Sequence, residues 1–159
     1  MLLYHFNIDC EMSPSGPNNS AGLGHAVRCR ELSNQFEIQS TFCVNKNKNS
    51  IEFCEAVDCK YIFEDELSEF LKLHKPTAII SDINYIDEKF VALYQSHDIP
   101  VVCLAPRGSF KYRANLAFCD VENTKEYSKS YEVQNDLRVG FDYAFIRSDI
   151  ASLRKRNDF

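Results

Sequence analysis

The segment from Thr77 to Leu104, TAIISDINYIDEKFVALYQSHDIPVVCL, sets the class of structure expected for this chain. It holds two short, mainly apolar runs, Thr77–Ser81 and Pro100–Leu104, on either side of the amphipathic segment Asp87–His97. Short apolar runs are typical of strands that are buried on both faces of a sheet. A helix between two such strands allows them to run parallel. The segment therefore predicts a β-α-β unit.

The same alternation extends toward both ends of the chain. Further strands are predicted at Leu2–Ile8, Thr41–Val44 and Leu116–Cys119. Helices are predicted at His25–Phe36 and from a cap at Asp65 to Pro76. Residues 51–63 are ambiguous, and one interpretation is a short helix followed by a strand-like Tyr61–Phe63. We expect an α/β fold, with a Rossmann-like, mainly parallel sheet and helices on both faces, as one domain over residues 1–159.

Composition excludes several classes of protein. The 159 residues are 45% hydrophobic and contain five Gly and five Pro, which is unlike disordered, collagenous or coiled-coil chains. No apolar run approaches the roughly 20 residues of a membrane span, and the N-terminus lacks a basic signal region, so we expect a cytoplasmic protein. The net charge of −5 argues against a nucleic-acid partner, because binding phosphates requires a basic surplus.

The seven cysteines do not form a recognisable metal or redox motif. Their number is odd and no pair has C-x-x-C spacing, so neither a zinc ribbon nor a thioredoxin-like site is predicted. Cys43 and Cys103 lie in apolar runs, where a free thiol behaves as a small hydrophobic group. We expect reduced, mostly buried thiols and neither a metal nor a cofactor.

The strongest candidate for chemistry is Gly22-Leu23-Gly24-His25, where a strand-end loop meets a helix. Two glycines allow a ligand to approach the backbone, and a helix N-terminus favours an anion such as a phosphate. Val27 stands where a dinucleotide-binding motif would have its third glycine. The position of His25 in the first helical turn predicts a neutral imidazole that can act as a general base. The alternative is a surface histidine that begins a helix.

Two more charged residues could belong to this site. Asp82 ends a predicted strand, where ligands of parallel sheets bind, although turn propensity alone favours an aspartate that starts a turn before the next helix. Arg28 lies one turn beyond His25 and could pair with an anionic ligand or remain solvated. The other histidines, His5 in a strand and His74 and His97 at helix ends, are weaker candidates.

The segment Gly22-Leu23-Gly24-His25-Ala26-Val27-Arg28-Cys29 resembles the Gly-x-Gly-His-x-x-Arg-Cys motif of PseG/SpsG-like proteins, the UDP-sugar hydrolases of pseudaminic acid biosynthesis and related spore-coat polysaccharide proteins. Two other segments are similar to the family in the same order. Ala78–Asp82 resembles its strand ending in aspartate, and Gly140–Arg147 resembles its Gly-x-x-Tyr-x-x-x-Arg segment.

The resemblance implies the N-terminal half of a GT-B fold, whose two Rossmann-like halves face a cleft. It implies a UDP-linked amino sugar as substrate, with His25 as the base that activates water without a metal. The implied substrate-binding residues are Asn7, Asp9, Gly22, Gly24, Arg28, Asp82, Asn84 and Tyr85.

The chain departs from the family in ways that concern catalysis. A second nucleotide-binding half does not follow in this chain, so we expect it on a separate partner or in a homo-oligomer. Asn7 replaces an arginine of the family's strand, and residues 10–21 form a longer loop. Asn84 falls on a family tyrosine that Tyr85 reaches only by a one-residue shift. A non-catalytic domain that binds nucleotide sugars or docks a partner, or a glycosyltransferase half, is the alternative to a hydrolase.

Overall fold

A computed structural model of the protein describes residues 1–8, 23–83, 88–104, 115–119 and 136–139. These residues form one sheet of seven parallel strands with helices packed on it. The strands are β1 (Leu2–Phe6), β2 (Ser40–Val44), β3 (Tyr61–Phe63), β4 (Ala78–Asp82), β5 (Val101–Leu104), β6 (Leu116–Cys119) and β7 (Asp136–Val139). The helices are α1 (Leu23–Gln35), α2 (Lys48–Ala56), α3 (Leu67–His74) and α4 (Glu88–Ser96).

The strand order is β3-β2-β1-β4-β5-β6-β7, and every pair of neighbours is parallel. From β1 the chain builds outward through β2 and β3, then returns to the other side of β1 with β4. The sheet therefore has its topological switch point between the carboxyl ends of β1 and β4, where open α/β sheets bind ligands. The predicted Rossmann-like α/β fold is confirmed.

Helices cover both faces of the sheet, as predicted. On one face, Ala26 and Cys29 of α1 and Cys54 of α2 pack against Tyr4 and Phe6 of β1. On the other face, α3 and α4 pack against alternate strand residues through Leu67, Leu71, Phe90 and Tyr94. We call these the α1–α2 face and the α3–α4 face. The central strands β1, β2, β4 and β5 are thus mostly buried on both sides, which explains why they are nearly continuous apolar runs.

Most cysteines of the described ranges belong to the core. Cys29, Cys43, Cys54 and Cys103 are buried and Cys59 is half-buried, and none of these five forms a disulfide. Burial raises the pKa of the Cys29 and Cys43 thiols well above the usual value. These side chains therefore act as small hydrophobic groups, as the sequence indicated.

Several element boundaries differ from the predictions for physical reasons. The ambiguous stretch contains α2 and β3, and Asn47 caps α2 by accepting a hydrogen bond from the Ser50 N–H at 2.8 Å. The predicted cap at Asp65 is wrong, because Glu64–Glu66 form a 3-10 turn before α3. There the Glu66 carboxylate accepts a hydrogen bond from the Phe63 N–H.

The seventh strand, β7, was not predicted. Its sequence, Asp136-Leu137-Arg138-Val139, carries charged residues at alternate positions. It pairs with β6 and ends the order of the described strands, so it is the edge strand of the described sheet and does not require a continuous apolar run. The semi-apolar stretch 140–146 and the charged tail 147–159 lie outside the described residues.

Candidate functional site

The candidate site lies on the α1–α2 face, at the switch point of the sheet. Asp82 is the last residue of β4, and it pairs in register with Phe6, the last residue of β1. His25 and Arg28 lie one turn apart near the start of α1, the first described helix after β1. The α/β topology thus brings the start of α1 to the end of β4.

A network of hydrogen bonds joins these three residues. His25 Nδ1 lies 2.7 Å from Asp82 Oδ1, and the Arg28 guanidinium donates to both carboxylate oxygens, from Nε at 2.6 Å and from Nη2 at 2.7 Å. The Asp82 side chain is fully buried, whereas His25 keeps 12% and Arg28 21% of its side-chain surface exposed. The carboxylate is therefore the internal support, and the histidine is the group that reaches the surface.

The network also fixes the tautomer of His25. Arg28 binds Asp82 in a bidentate manner, which favours the ionised carboxylate, and an ionised carboxylate only accepts hydrogen bonds. Nδ1 must then carry the proton, so the 3.1 Å contact between Nδ1 and Arg28 Nη2 is not a hydrogen bond. Nε2 makes no hydrogen bond within the described ranges and keeps its lone pair when the ring is neutral.

Cys29 lies beside this network but is a poor candidate for a nucleophile. Its Sγ lies 3.9 Å from Asp82 Oδ2, and its side chain is fully buried. Burial, and then the charge of Asp82, raise the pKa of the thiol well above the usual value. Because the thiolate is the reactive form, His25 is the better candidate for chemistry.

The first turn of α1 is open beside the histidine. Leu23 and Gly24 are exposed, and a methyl group added at Gly24 would meet no described atom within 4 Å. The backbone N–H groups of a first helical turn have no partner within the helix. This end of α1 thus leaves room for a ligand beside Gly24, and the binding of a ligand at the glycine motif stays a prediction.

The predicted site residues fall into three groups. His25, Arg28 and Asp82 come together, and Gly24 lies on the same helix end. Asn7 lies elsewhere: with its amide oriented to satisfy its partners, Nδ2 donates to Glu64 Oε1 at 2.9 Å. Four predicted residues lie outside the described ranges, namely Asp9, Gly22, Asn84 and Tyr85.

The structure changes the roles expected for two of these residues. Arg28 donates to both oxygens of the buried Asp82 carboxylate and so neutralises it, a partner that was not expected. Asp82 has both oxygens engaged and no exposed surface, so the geometry favours a positioning role that acts through His25. Direct contact of either residue with a substrate stays a prediction.

A second histidine–carboxylate pair, which sequence reasoning missed, lies on the α3–α4 face. His5 of β1 is fully buried, with Nε2 3.0 Å from Glu64 Oε1 and Nδ1 hydrogen-bonded to the Tyr94 hydroxyl. Burial lowers the pKa of His5, and the hydrogen bond with Glu64 only partly offsets this. A histidine within an apolar strand was the one signal that could have pointed to this pair.

Polar residues after β2 hold the chain that leaves β1, and these were also missed. The Asn45 Oδ1 accepts a hydrogen bond from the Ile8 N–H at 3.1 Å, and the Asn47 Nδ2 donates to the Ile8 carbonyl at 2.6 Å. The strand therefore ends at Phe6 rather than Ile8, because side chains replace the ladder bonds there. The asparagine-rich run Asn45–Asn49 was the available signal.

Comparison with known proteins does not assign the chain to a family. No family model matches the sequence, and no curated protein matches it.

Within the described residues, no three His, Cys, Asp or Glu side chains come together in a way that could hold a metal ion. No helix in the described ranges is long and apolar enough to cross a membrane.

Proposed function

We propose that the His25–Asp82–Arg28 site activates water to hydrolyse a nucleotide-linked sugar, with a UDP-linked amino sugar as the substrate class. The observation that carries the proposal is the 2.7 Å hydrogen bond between His25 Nδ1 and the buried Asp82 carboxylate. A carboxylate on one ring nitrogen prepares the other nitrogen to accept a proton, because it stabilises the imidazolium that forms. The motif around His25 supplies the substrate class, which is an inference from resemblance.

In the proposed reaction, a water oxygen attacks the anomeric carbon of the sugar while its proton passes to His25 Nε2. The bond between the anomeric carbon and the diphosphate oxygen breaks, and UDP leaves with the electron pair. Asp82 holds the ring and balances its new charge. The exposed first turn of α1, with Gly24, would receive the negative charge of the diphosphate, because a helix N-terminus favours an anion.

The proposal includes a second nucleotide-binding unit that faces this site, on a partner chain or on another copy of this one. His25 is near the surface, and a cleft wall opposite it would exclude water from the diphosphate and strengthen the electrostatic interactions. We propose that this facing unit binds most of the uridine nucleotide. The present site would then contribute the base and the helix end.

The test measures release of UDP from UDP-linked N-acetylamino sugars in water enriched in ¹⁸O. We expect His25→Ala to lower kcat by about 10²- to 10⁴-fold, the usual contribution of a general base. His25→Gln should be equally impaired, and His74→Ala, which changes an exposed histidine of α3, should match the wild type. The label should appear in the sugar and not in UDP.

Two results would count against the proposal. An unchanged rate in His25→Ala would remove the proposed base. Absence of UDP release from the wild type, with and without a candidate facing unit, would remove hydrolysis. Binding of the UDP-sugar without turnover would instead support the alternative of a nucleotide-sugar-binding domain.

A further inference from the structure

Two of the cysteines, Cys54 and Cys59, meet at the end of α2. Cys54 belongs to the last turn of the helix and is fully buried, whereas Cys59 follows the helix and is half-buried. Their spacing, C-x₄-C, differs from the C-x-x-C of zinc ribbons and thioredoxin-like sites, so the sequence alone did not point to the pair. Their proximity is instead a result of how the backbone leaves the helix.

The backbone after α2 brings the two cysteines together. Asp58 has a positive φ of 49°, and its N–H donates to the Glu55 carbonyl at 3.2 Å. The Cys59 N–H reaches back to the Cys54 carbonyl, also at 3.2 Å. These two bonds define a Schellman motif, in which the residue after the left-handed position commonly packs against the last turn of the helix. In this chain a cysteine stands on each side of that contact.

The side chains of the pair lie within reach of each other. Cys59 Sγ lies 3.5 Å from the Cys54 carbonyl oxygen, and both side chains pack in the apolar cluster of the α1–α2 face. When Cys59 ionises, the Cys54 thiol can donate a hydrogen bond to it, and this is the largest cause of the lowered pKa of Cys59. The positive charge of Arg30 on α1 also lowers this pKa, whereas burial and the charge of Asp58 act against it.

The two thiols therefore differ in a way that suits a two-step oxidation. Cys59 is the more accessible thiol and has the lower pKa, and the thiolate is the reactive form. The pKa of Cys54 is raised, first by its hydrogen bond with Cys59 and then by burial, so Cys54 is protected from solvent but lies beside its partner. An accessible cysteine of low pKa next to a second, resolving cysteine is the arrangement of redox-sensing sites.

We propose that Cys54 and Cys59 form a reversible disulfide when the protein meets hydrogen peroxide. In the first step the Cys59 thiolate attacks one peroxide oxygen, the O–O bond breaks, and the leaving hydroxide takes up the proton that Cys59 released. In the second step the Cys54 sulfur attacks the sulfur of the Cys59 sulfenic acid, the S–O bond breaks, and the leaving hydroxide takes the Cys54 proton. The two sulfurs lose two electrons, and the peroxide becomes two water molecules. A dithiol reverses the oxidation by exchange.

The test uses trypsin, which cleaves after Lys48 and Lys60 and so releases both cysteines in one peptide, residues 49–60, with no other cysteine. The folded protein is treated with hydrogen peroxide, the remaining thiols are alkylated under denaturing conditions, and the peptide masses are measured. We expect this peptide to lose both alkylation sites and two hydrogen atoms. Its oxidation should be at least about tenfold faster than that of peptide 31–46, which holds only the buried Cys43. Dithiothreitol should restore both thiols.

Variants separate the two steps. Cys54→Ala should stop at the Cys59 sulfenic acid, which dimedone traps, and Cys59→Ser should leave Cys54 available for alkylation. Arg30→Gln should slow the first step by about twofold or more, because less of Cys59 is ionised. Lys72→Gln, which removes an exposed cation of α3, should not change the rate.

Four results would overturn the proposal. They are equal oxidation rates for the two peptides in the folded protein, recovery of Cys59 only as the sulfinic acid, a disulfide from Cys59 to a cysteine outside residues 49–60, and a preference for this peptide that is just as large in urea-unfolded protein. The inference uses no residue of the His25 network and does not measure hydrolysis, so its failure would leave the proposed function unaffected.

Discussion

The two faces of the sheet each carry a histidine paired with a carboxylate, and the two pairs are inverted. In His25–Asp82 the carboxylate is fully buried and the histidine reaches the surface. In His5–Glu64 the histidine is fully buried and the carboxylate reaches the surface. The buried member of each pair is the support, and the surface member is the group available to a ligand.

The burial of each supporting group determines what the surface group can do. A buried carboxylate can stabilise a positive charge on its histidine, so His25 suits proton transfer. A buried neutral histidine donates one hydrogen bond and leaves the charge on Glu64, so Glu64 suits binding of a cation. The same two residue types therefore support different chemistry on the two faces.

Removing the histidines should give the largest contrast. His5→Ala leaves a cavity in the core and removes partners of Glu64 and Tyr94, so it should lower the free energy of unfolding by about 4 kcal/mol. His25→Ala removes a partly exposed side chain and should cost about 1.5 kcal/mol. Urea unfolding measures both values. Equal losses of unfolding free energy in the two variants would contradict the expectation that the buried His5 contributes more to stability than the partly exposed His25.

Removing the charges of the carboxylates should reverse the order of the two faces. Asp82→Asn breaks the ion pair between the fully buried Asp82 carboxylate and the partly exposed Arg28 and should cost about 3 kcal/mol. Glu64→Gln keeps one acceptor oxygen on a partly exposed side chain and should cost about 1 kcal/mol. If Glu64→Gln proved the more damaging of the two in urea unfolding, the assignment of support and surface group would be wrong.

The pH dependence of stability should identify the buried histidine. The pKa of His5 is lowered in the folded protein, so the unfolded chain binds the proton more tightly. The contribution of His5 to the free energy of unfolding therefore has its full value above about pH 6.5. Below that pH it decreases with acidification, by up to about 1.4 kcal/mol per pH unit. Unfolding midpoints between about pH 7.5 and pH 5 should show this slope, measured as the difference between the wild type and His5→Phe. A difference between the two proteins that does not change with pH would contradict the lowered pKa of His5.

The smallest expected effect concerns Gly24, at the open helix end beside His25. Gly24→Ala adds a methyl group into space where no described atom lies within 4 Å, so the fold should gain about 0.5 kcal/mol from the better helix former. The same methyl group should obstruct a ligand at this turn and lower kcat/KM for the proposed hydrolysis. A variant that gained stability and kept full activity would exclude close approach of the substrate at Gly24.

The fold was largely predictable because the central strands are buried on both faces. That burial produces the apolar runs of β4 and β5 that identify a parallel sheet without any knowledge of contacts. The edge strand β7 was not predictable in this way, because a strand paired on one side tolerates the polar residues Asp136 and Arg138.

The candidate site was predictable only as separate residues. His25 and Asp82 were singled out by their positions at a helix start and a strand end, but they are 57 residues apart in sequence, and their hydrogen bond depends on β1 pairing with β4. Arg28 was expected to face a ligand or water, since sequence shows no sign of its buried partner. The role of Glu64 depends on its hydrogen bond with His5, which is 59 residues away in sequence, and no local sequence pattern indicates this contact.

The central position of β1 has a consequence for how the protein acquires its structure during synthesis. Leu2 pairs with Ser40 on one side and with Ala78 on the other, so β1 cannot complete its pairing until both β2 and β4, which follow it in the chain, have been synthesised. Closure of such distant pairings is slow compared with the formation of local helices. The nascent helix α1 exists before β4 does, so Arg28 and His25 meet Asp82 only when the middle of the sheet closes. Assembly of the candidate site should therefore coincide with completion of the core and report on it.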